Sequence, residues 1–297
     1  MRNKEDLNVS NWGHTAFILL LLVGCAAPQG PQIESVPNSS SPVVPGEQGE
    51  VLRVPSRTFP HDSFDSFLKR HVDQAGLINY AKALNERDEL NLYLQQIASV
   101  SPDSDPALFP TEEDRLAYWL NAYNASVIDL VLDHYPIASV QDLRAPLLLR
   151  FLPEGAGFFV FERITLGKKR TRLYSLENSL IRKRFDDPRI HFALNCASAS
   201  CPRLPAEAFR ADRLEEQLRR ETLGFLGDPR NVEVDPAAQT IRLSAIFDWY
   251  EKDFRTGLRT FLITEGSPEL ADQLRNCSEC DFTFNAYDWS LNDRSGN

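Results

Sequence analysis

The sequence predicts an α+β fold: one compact domain in which a central buried helix, about residues 112–135, packs on a small mixed sheet. Three observations predict it. One long helical stretch is apolar around most of its circumference, which places it inside a domain rather than on its surface. The strand-like segments are short and separated, unlike the regular alternation of a doubly wound sheet. From residue 58 onward no linker or internal repeat interrupts the chain, and a composition of 42% hydrophobic and 10% aromatic residues is enough for a real core.

The chain begins with a different kind of segment. Residues 1–24 have the form of a lipoprotein signal peptide. Ala16 to Val23 is an apolar run of eight, too short to span a bilayer and long enough for a secretory core. It ends in Leu22-Val23-Gly24-Cys25, which resembles a bacterial lipobox, and Cys25 is the residue that would carry the lipid. Ala26, where a retention signal would have Asp, points by the same resemblance to the periplasmic face of the outer membrane. Residues 25–57 then form a tether rich in Pro, Ser and Gly, including Pro28, Pro31, Pro37, Pro42, Pro45 and Pro55. As a coil it spans roughly 30 Å, enough to hold a domain just off a membrane.

The globular part covers residues 58–297. Phe64, Phe67, Leu68 and His71 are spaced for a short amphipathic helix, and Leu84, Leu90, Leu92, Leu94 and Ile97 for a second helical stretch. Thr111 followed by Glu112, Glu113 and Asp114 starts the central helix with a cap and acidic first turn. That helix carries Asn121 and Asn124, buried amides that must be hydrogen-bonded, either to a ligand or to a neighbouring loop. Beyond it, Phe158–Phe161 and Ile164–Leu166 are expected as strands and Leu176–Arg184 as a helix. Arg189–Cys196 (RIHFALNC) is expected as a buried strand and Asp212–Leu226 as an amphipathic helix. Val232–Val234 and Ile241–Leu243 form a hairpin, Phe247 to Phe261 recur at helical spacing, and Asp281–Tyr287 forms a closing strand.

A net charge of −10 argues against nucleic acid as a partner, because duplex binding needs a basic footprint. The basic clusters at Lys168–Arg172 and Arg182–Arg184 are expected as solvated faces. The expected partners are the membrane, through the lipid anchor, and an envelope protein or small-molecule ligand. No cofactor and no metal is expected.

With Cys25 set aside, Cys196, Cys201, Cys277 and Cys280 make an even count in an exported chain, which predicts disulfides without choosing among three pairings. A zinc site is the alternative, although the Cys196/Cys201 gap is wider than usual. Cys196 is also a candidate nucleophile, ending in a loop of small residues (CASASC). His191, five residues earlier, would point to the opposite face of an extended strand, so a dyad needs the strand broken or a base from His134 or His71.

The segments YWLNAYNA (118–125), LENSLIR (176–182), RIHFALNCASASCP (189–202), YEKDF (250–254) and YDWSLN (287–292) together resemble the DUF547 family, a domain of unknown function. The resemblance implies that Asn121, Asn124, Glu177, Arg182, His191, Cys196, Ser198, Cys201 and Asp253 are motif residues. It supplies no reaction. Two functions follow as expectations. In the first, the chain is a membrane-anchored envelope lipoprotein with a binding or scaffolding domain, where Asn121, Asn124, Arg182 and Ser198 face a ligand. In the alternative, it is a thiol-dependent hydrolase or acyltransferase: Cys196 attacks a carbonyl, His191 takes the proton, and Glu177 or Asp253 orients the base.

Overall fold

The computed structural model describes residues 58–149, 152 and 154–294. The signal peptide, Cys25 and the tether lie outside the described residues. Among the described residues no helix is long and apolar enough to cross a membrane.

The first helices are α1 (Asp62–His71), α2 (Tyr80–Asn85) and α3 (Asp88–Ser99). The second expected stretch is thus divided, because Asn79 caps α2 and Glu86-Arg87 breaks the run before Asp88 and Glu89 open α3. The central helix, α4 (Glu112–His134), starts where the sequence indicates. Thr111 accepts from the Asp114 amide at 3.1 Å, and Asp114 accepts from the Thr111 amide at 3.1 Å, a reciprocal cap worth about 1 kcal/mol. From Leu116 to Ile128 every residue of α4 is buried.

The chain then forms β1 (Ile164–Leu166) and β2 (Lys169–Thr171), an antiparallel hairpin closed by Gly167-Lys168, both at positive φ as a two-residue turn demands. Its turn amides donate to Ile97 and Ala98 carbonyls at the end of α3. The strand expected at Phe158–Phe161 is instead a wide π-helical turn, Gly157–Phe161. Gly157 permits it, since a Cβ there would lie 1.9 Å from the Leu143 carbonyl oxygen.

A helical turn, α5 (Leu173–Ser175), runs into a π-helical segment, Leu176–Ile181, where Arg182 N–H reaches back five residues to the Glu177 carbonyl. The remaining elements are α6 (Leu214–Leu226), β3 (Val232–Asp235), β4 (Thr240–Leu243), α7 (Ala245–Trp249), α8 (Leu258–Glu265), α9 (Pro268–Asn276) and β5 (Asp281–Phe284). The sheet is mixed: β3 pairs antiparallel with β4, and β5 adds parallel to β4.

The α+β class holds, and the layering differs from expectation in one respect. The principal neighbours of α4 are α3, the π-helical segment and the turn at Ala211–Arg213, rather than the mixed sheet. The sheet belongs to a second apolar cluster with Phe225, Phe247, Phe254, Phe261 and Leu274, whereas α4 anchors the first. Two separate apolar clusters leave a seam, and polar side chains are affordable there because part of each stays near water.

The expected buried strand Arg189–Cys196 is also corrected. Pro188–Phe192 winds as a 3₁₀ helix, started by Asp187, whose carboxylate accepts from the Arg189 amide at 2.9 Å. Ala193 and Leu194 amides donate to the Ile190 carbonyl, and Asn124 adds side-chain partners, accepting from the Asn195 amide and donating to the Ala193 carbonyl, both at 2.9 Å. Ile190 enters the first apolar cluster and Phe192 the second, so His191 stands on the seam.

Candidate functional site

On that seam lies a cavity of about 450 Å³ lined from both sides. Tyr123 comes from α4; Glu177, Asn178 and Arg182 come from the π-helical segment and its end. His191 follows from the 3₁₀ helix, Cys196 and Cys201 from the small-residue loop, Trp249 from α7 and Tyr250 from the residue that caps it, and Tyr287 and Trp289 from the C-terminal strand exit. The π-helical winding matters locally, because widening the turn changes which side chains share a face.

Glu177 is held by two phenols. Tyr250 donates to one carboxylate oxygen at 2.7 Å and Tyr123 to the other at 3.3 Å. Burial, with Glu177 alongside, pushes both phenols well above the ordinary tyrosine range, so both keep their protons. Each Glu177 oxygen retains acceptor capacity for a ligand.

The second polar unit is Arg182–Asp253–His191. Asp253 Oδ2 accepts from Arg182 Nε at 2.7 Å and lies 2.8 Å from His191 Nε2. Burial alone would raise Asp253, but the hydrogen bonds from His191 and Arg182 hold its carboxyl well below the usual range. Burial lowers His191, opposed by Asp253, and keeps the ring neutral. With Nε2 engaged by Asp253, Nδ1 is the ring nitrogen left for another partner. Tyr250 is sandwiched in this unit: its ring stacks on His191 at 4.1 Å, and the Arg182 guanidinium lies 4.6 Å from its centroid. Arg182 also donates to Asn178.

The third unit is a disulfide. Cys196 and Cys201 are bonded, with Cα atoms 6.2 Å apart, and Cys277 and Cys280 are bonded with Cα atoms 5.2 Å apart. The pairing lies within each cluster, not between them, as one of the three possible pairings. Cys196 carries no free thiol in this form; the strand before it is broken, as a Cys196–His191 dyad would need, and His191 is held by Asp253, one of the two residues expected to orient it. Of the other candidate bases, His134 meets Glu162 at 3.3 Å and His71 is buried against Phe67; neither lines the cavity.

The remaining expected ligand residues support rather than line the site. Asn121 grips the Phe209 backbone with both amide atoms, donating to its carbonyl at 2.8 Å and accepting from its amide at 2.9 Å. Asn124 fixes the backbone that leads into Cys196. Ser198, 2% exposed, packs its hydroxyl against the Cys196 sulfur at 2.9 Å and Tyr287 at 3.2 Å.

Three residues central to the site were not singled out from the sequence: Tyr123, Tyr250 and Tyr287. All lie inside the quoted motifs, and that is the signal that could have found them. Tyr123 falls on the apolar stripe of α4 and Tyr250 on the apolar spacing from Phe247, where a tyrosine is indistinguishable from core.

Fold and site together define a small α+β domain with a preformed cavity lined by aromatic and charged side chains and by a disulfide. Within it, residues 108–226 match the model of the family described as a protein of unknown function, DUF547, which supports the resemblance drawn from the motifs. The matched stretch carries Tyr123, Glu177, Arg182, His191 and both cavity cysteines. No curated protein and no solved structure matches this chain.

Proposed function

We propose that this chain is a membrane-anchored envelope lipoprotein whose globular domain is a binding module, with the seam cavity as its ligand site. The observation that carries the binding role is preorganisation. Glu177, Arg182, Asp253 and His191 are fixed by one another and by Tyr123 and Tyr250 before any ligand arrives, which removes much of the ordering cost of binding. Glu177 offers an acceptor for a donor-rich or cationic group, and Trp249 and Trp289, stacked at 5.8 Å beside the cavity, offer a wall for an apolar or ring face. The ligand class is therefore a small polar molecule, or a side chain of an envelope protein, that bears both features.

The lipobox at Leu22–Cys25 and the proline-rich tether support anchoring through Cys25 at the periplasmic face of the outer membrane. A thiol-dependent hydrolase or acyltransferase would need a thiolate at Cys196, and that sulfur is occupied by Cys201. Two experiments test the reading. Cys25→Ser should move the protein from the membrane pellet to the soluble fraction; retention in the pellet would remove the anchor. A thermal-shift screen of amines, sugars and amino acids should return ligands whose affinity falls at least tenfold in Glu177→Gln or Arg182→Ala. Ligands bound equally by wild type and both variants would place binding elsewhere.

A further inference from the structure

We propose that Cys196–Cys201 is a thiol–disulfide exchange site, opened by a dithiol that reaches it through the cavity. This goes beyond the binding reading and does not depend on it. Three observations carry the inference, and the first is access. Both cysteines line the cavity, whereas Cys277 and Cys280 are 3% and 8% exposed within the second apolar cluster.

The second observation is the set of donors around the sulfurs. Cys201 Sγ accepts from the Cys196 amide at 2.9 Å, and the Tyr287 hydroxyl lies 3.1 Å from Cys201 Sγ and 3.2 Å from Cys196 Sγ. The Ser198 hydroxyl lies 2.9 Å from Cys196 Sγ and 3.5 Å from Cys201 Sγ. A neutral disulfide gains little from such donors. A thiolate gains much more, because hydrogen bonds to a charged acceptor are about twice as strong. The backbone N–H falls on Cys201, which makes Cys201 the sulfur best prepared to leave with the electron pair.

The third observation is that the loop is also held by hydrogen bonds that do not involve the disulfide. Ala197 sits in the left-handed region at φ 64, a conformation costing an L-residue about 1–2 kcal/mol. It is held by donation from its amide to Asn195 at 2.9 Å and from the Asn292 amide to its carbonyl at 3.1 Å. Ala199 and Ser200 amides donate to the Ser290 and Asp288 carbonyls. A loop fixed from outside keeps its donors aimed at the sulfurs after reduction.

The step balances as follows. A thiolate of the partner dithiol attacks Cys196 Sγ, forming a mixed disulfide; the Cys196–Cys201 bond breaks and its electron pair stays on Cys201 as thiolate. The partner's second thiolate then attacks its own sulfur in that mixed disulfide and releases Cys196. The partner leaves oxidised to a disulfide, this domain is reduced by two electrons, and the two thiol protons pass to solvent.

The test uses the mature chain without denaturant. Graded dithiothreitol followed by iodoacetamide and peptide mass mapping should alkylate Cys196 and Cys201 at a concentration at least tenfold below that needed for Cys277 and Cys280. Glutathione, a monothiol, should open the bond less completely. In the reduced protein, the alkylation rate of Cys201 should titrate with a midpoint below the ordinary cysteine value of about 8.5. Tyr287→Phe should raise that midpoint and slow opening several-fold. Opening of both disulfides together, opening only in urea, or a Cys201 midpoint at or above the ordinary value would each overturn the proposal. So would a Tyr287→Phe variant that opens at the wild-type rate.

Discussion

The two disulfides of this domain close loops of similar length, five and three residues apart, in opposite surroundings. Cys277–Cys280 ties the turn between α9 and β5 inside the second apolar cluster. Arg259 seals that turn by donating to the Cys277 and Cys280 carbonyls at 2.9 and 2.7 Å. Its sulfurs fill core space. Cys196–Cys201 faces the cavity, among hydroxyls and beside two carboxylate-centred clusters. A bond of the same chemistry is thus a staple in one place and part of a site in the other. What decides between these roles is the surroundings, not the bond.

Substitution should separate the two most strongly. Replacing Cys277 and Cys280 together by Ala should cost about 3 kcal/mol, the loop-closure contribution plus lost packing, measured by urea unfolding. An equal or smaller loss than that of the cavity pair would erase the distinction.

A pH experiment extends the contrast to two buried histidines. His191 has Asp253 as partner, whereas His61 contacts the neutral Tyr93 and Asn121 at 2.9 and 3.1 Å. Burial, with Arg210 nearby, lowers His61 to about 4. Between that value and the ordinary 6.5 the unfolded chain binds more protons than the folded one. The stability is therefore fully present above about pH 6.5 and is lost as pH falls toward 4, by about 3 kcal/mol. His71 and His191, also lowered by burial, act in the same direction. Denaturant midpoints that do not move between pH 7 and 4.5 would contradict this.

Next in size is Asp253→Asn, which removes the charge that holds Arg182 and His191 in the cavity. It should cost about 1–2 kcal/mol and weaken any cavity ligand. Of similar size is the Cys196→Ala, Cys201→Ala pair, at about 2 kcal/mol: the loop-closure contribution remains, as for the buried pair, but little packing is lost with sulfurs that face a cavity. A loss matching that of the buried pair would make the cavity disulfide a staple too.

How much of this was legible in the sequence follows the same division between packing and polar detail. The central helix was legible because Thr111 caps it and its apolar residues cover most of its girth. The hairpin β3–β4 was legible because its two segments alternate on either side of a short turn. RIHFALNC was misread as a strand because its apolar content is that of a strand; Pro188, Asp187 and the Asn124 amide give its backbone other partners, and no local pattern shows a partner 71 residues away. Glu177, Arg182, His191 and Asp253 were found as motif residues, but their assembly was not, since it depends on where two apolar clusters meet. Asn121 and Asn124 were rightly expected to be hydrogen-bonded; the partners are loop backbone and, for Asn121, also the His61 ring.

The central claim is that Cys196 and Cys201 are bonded to each other across the floor of the cavity. Alkylation of the mature, unreduced protein under denaturing conditions, followed by peptide mass mapping, tests it directly. The account expects no label on any of the four cysteines and two internally linked peptides, one holding Cys196 and Cys201, the other Cys277 and Cys280. Labelled Cys196, or a link from either cavity cysteine to Cys277 or Cys280, would contradict it.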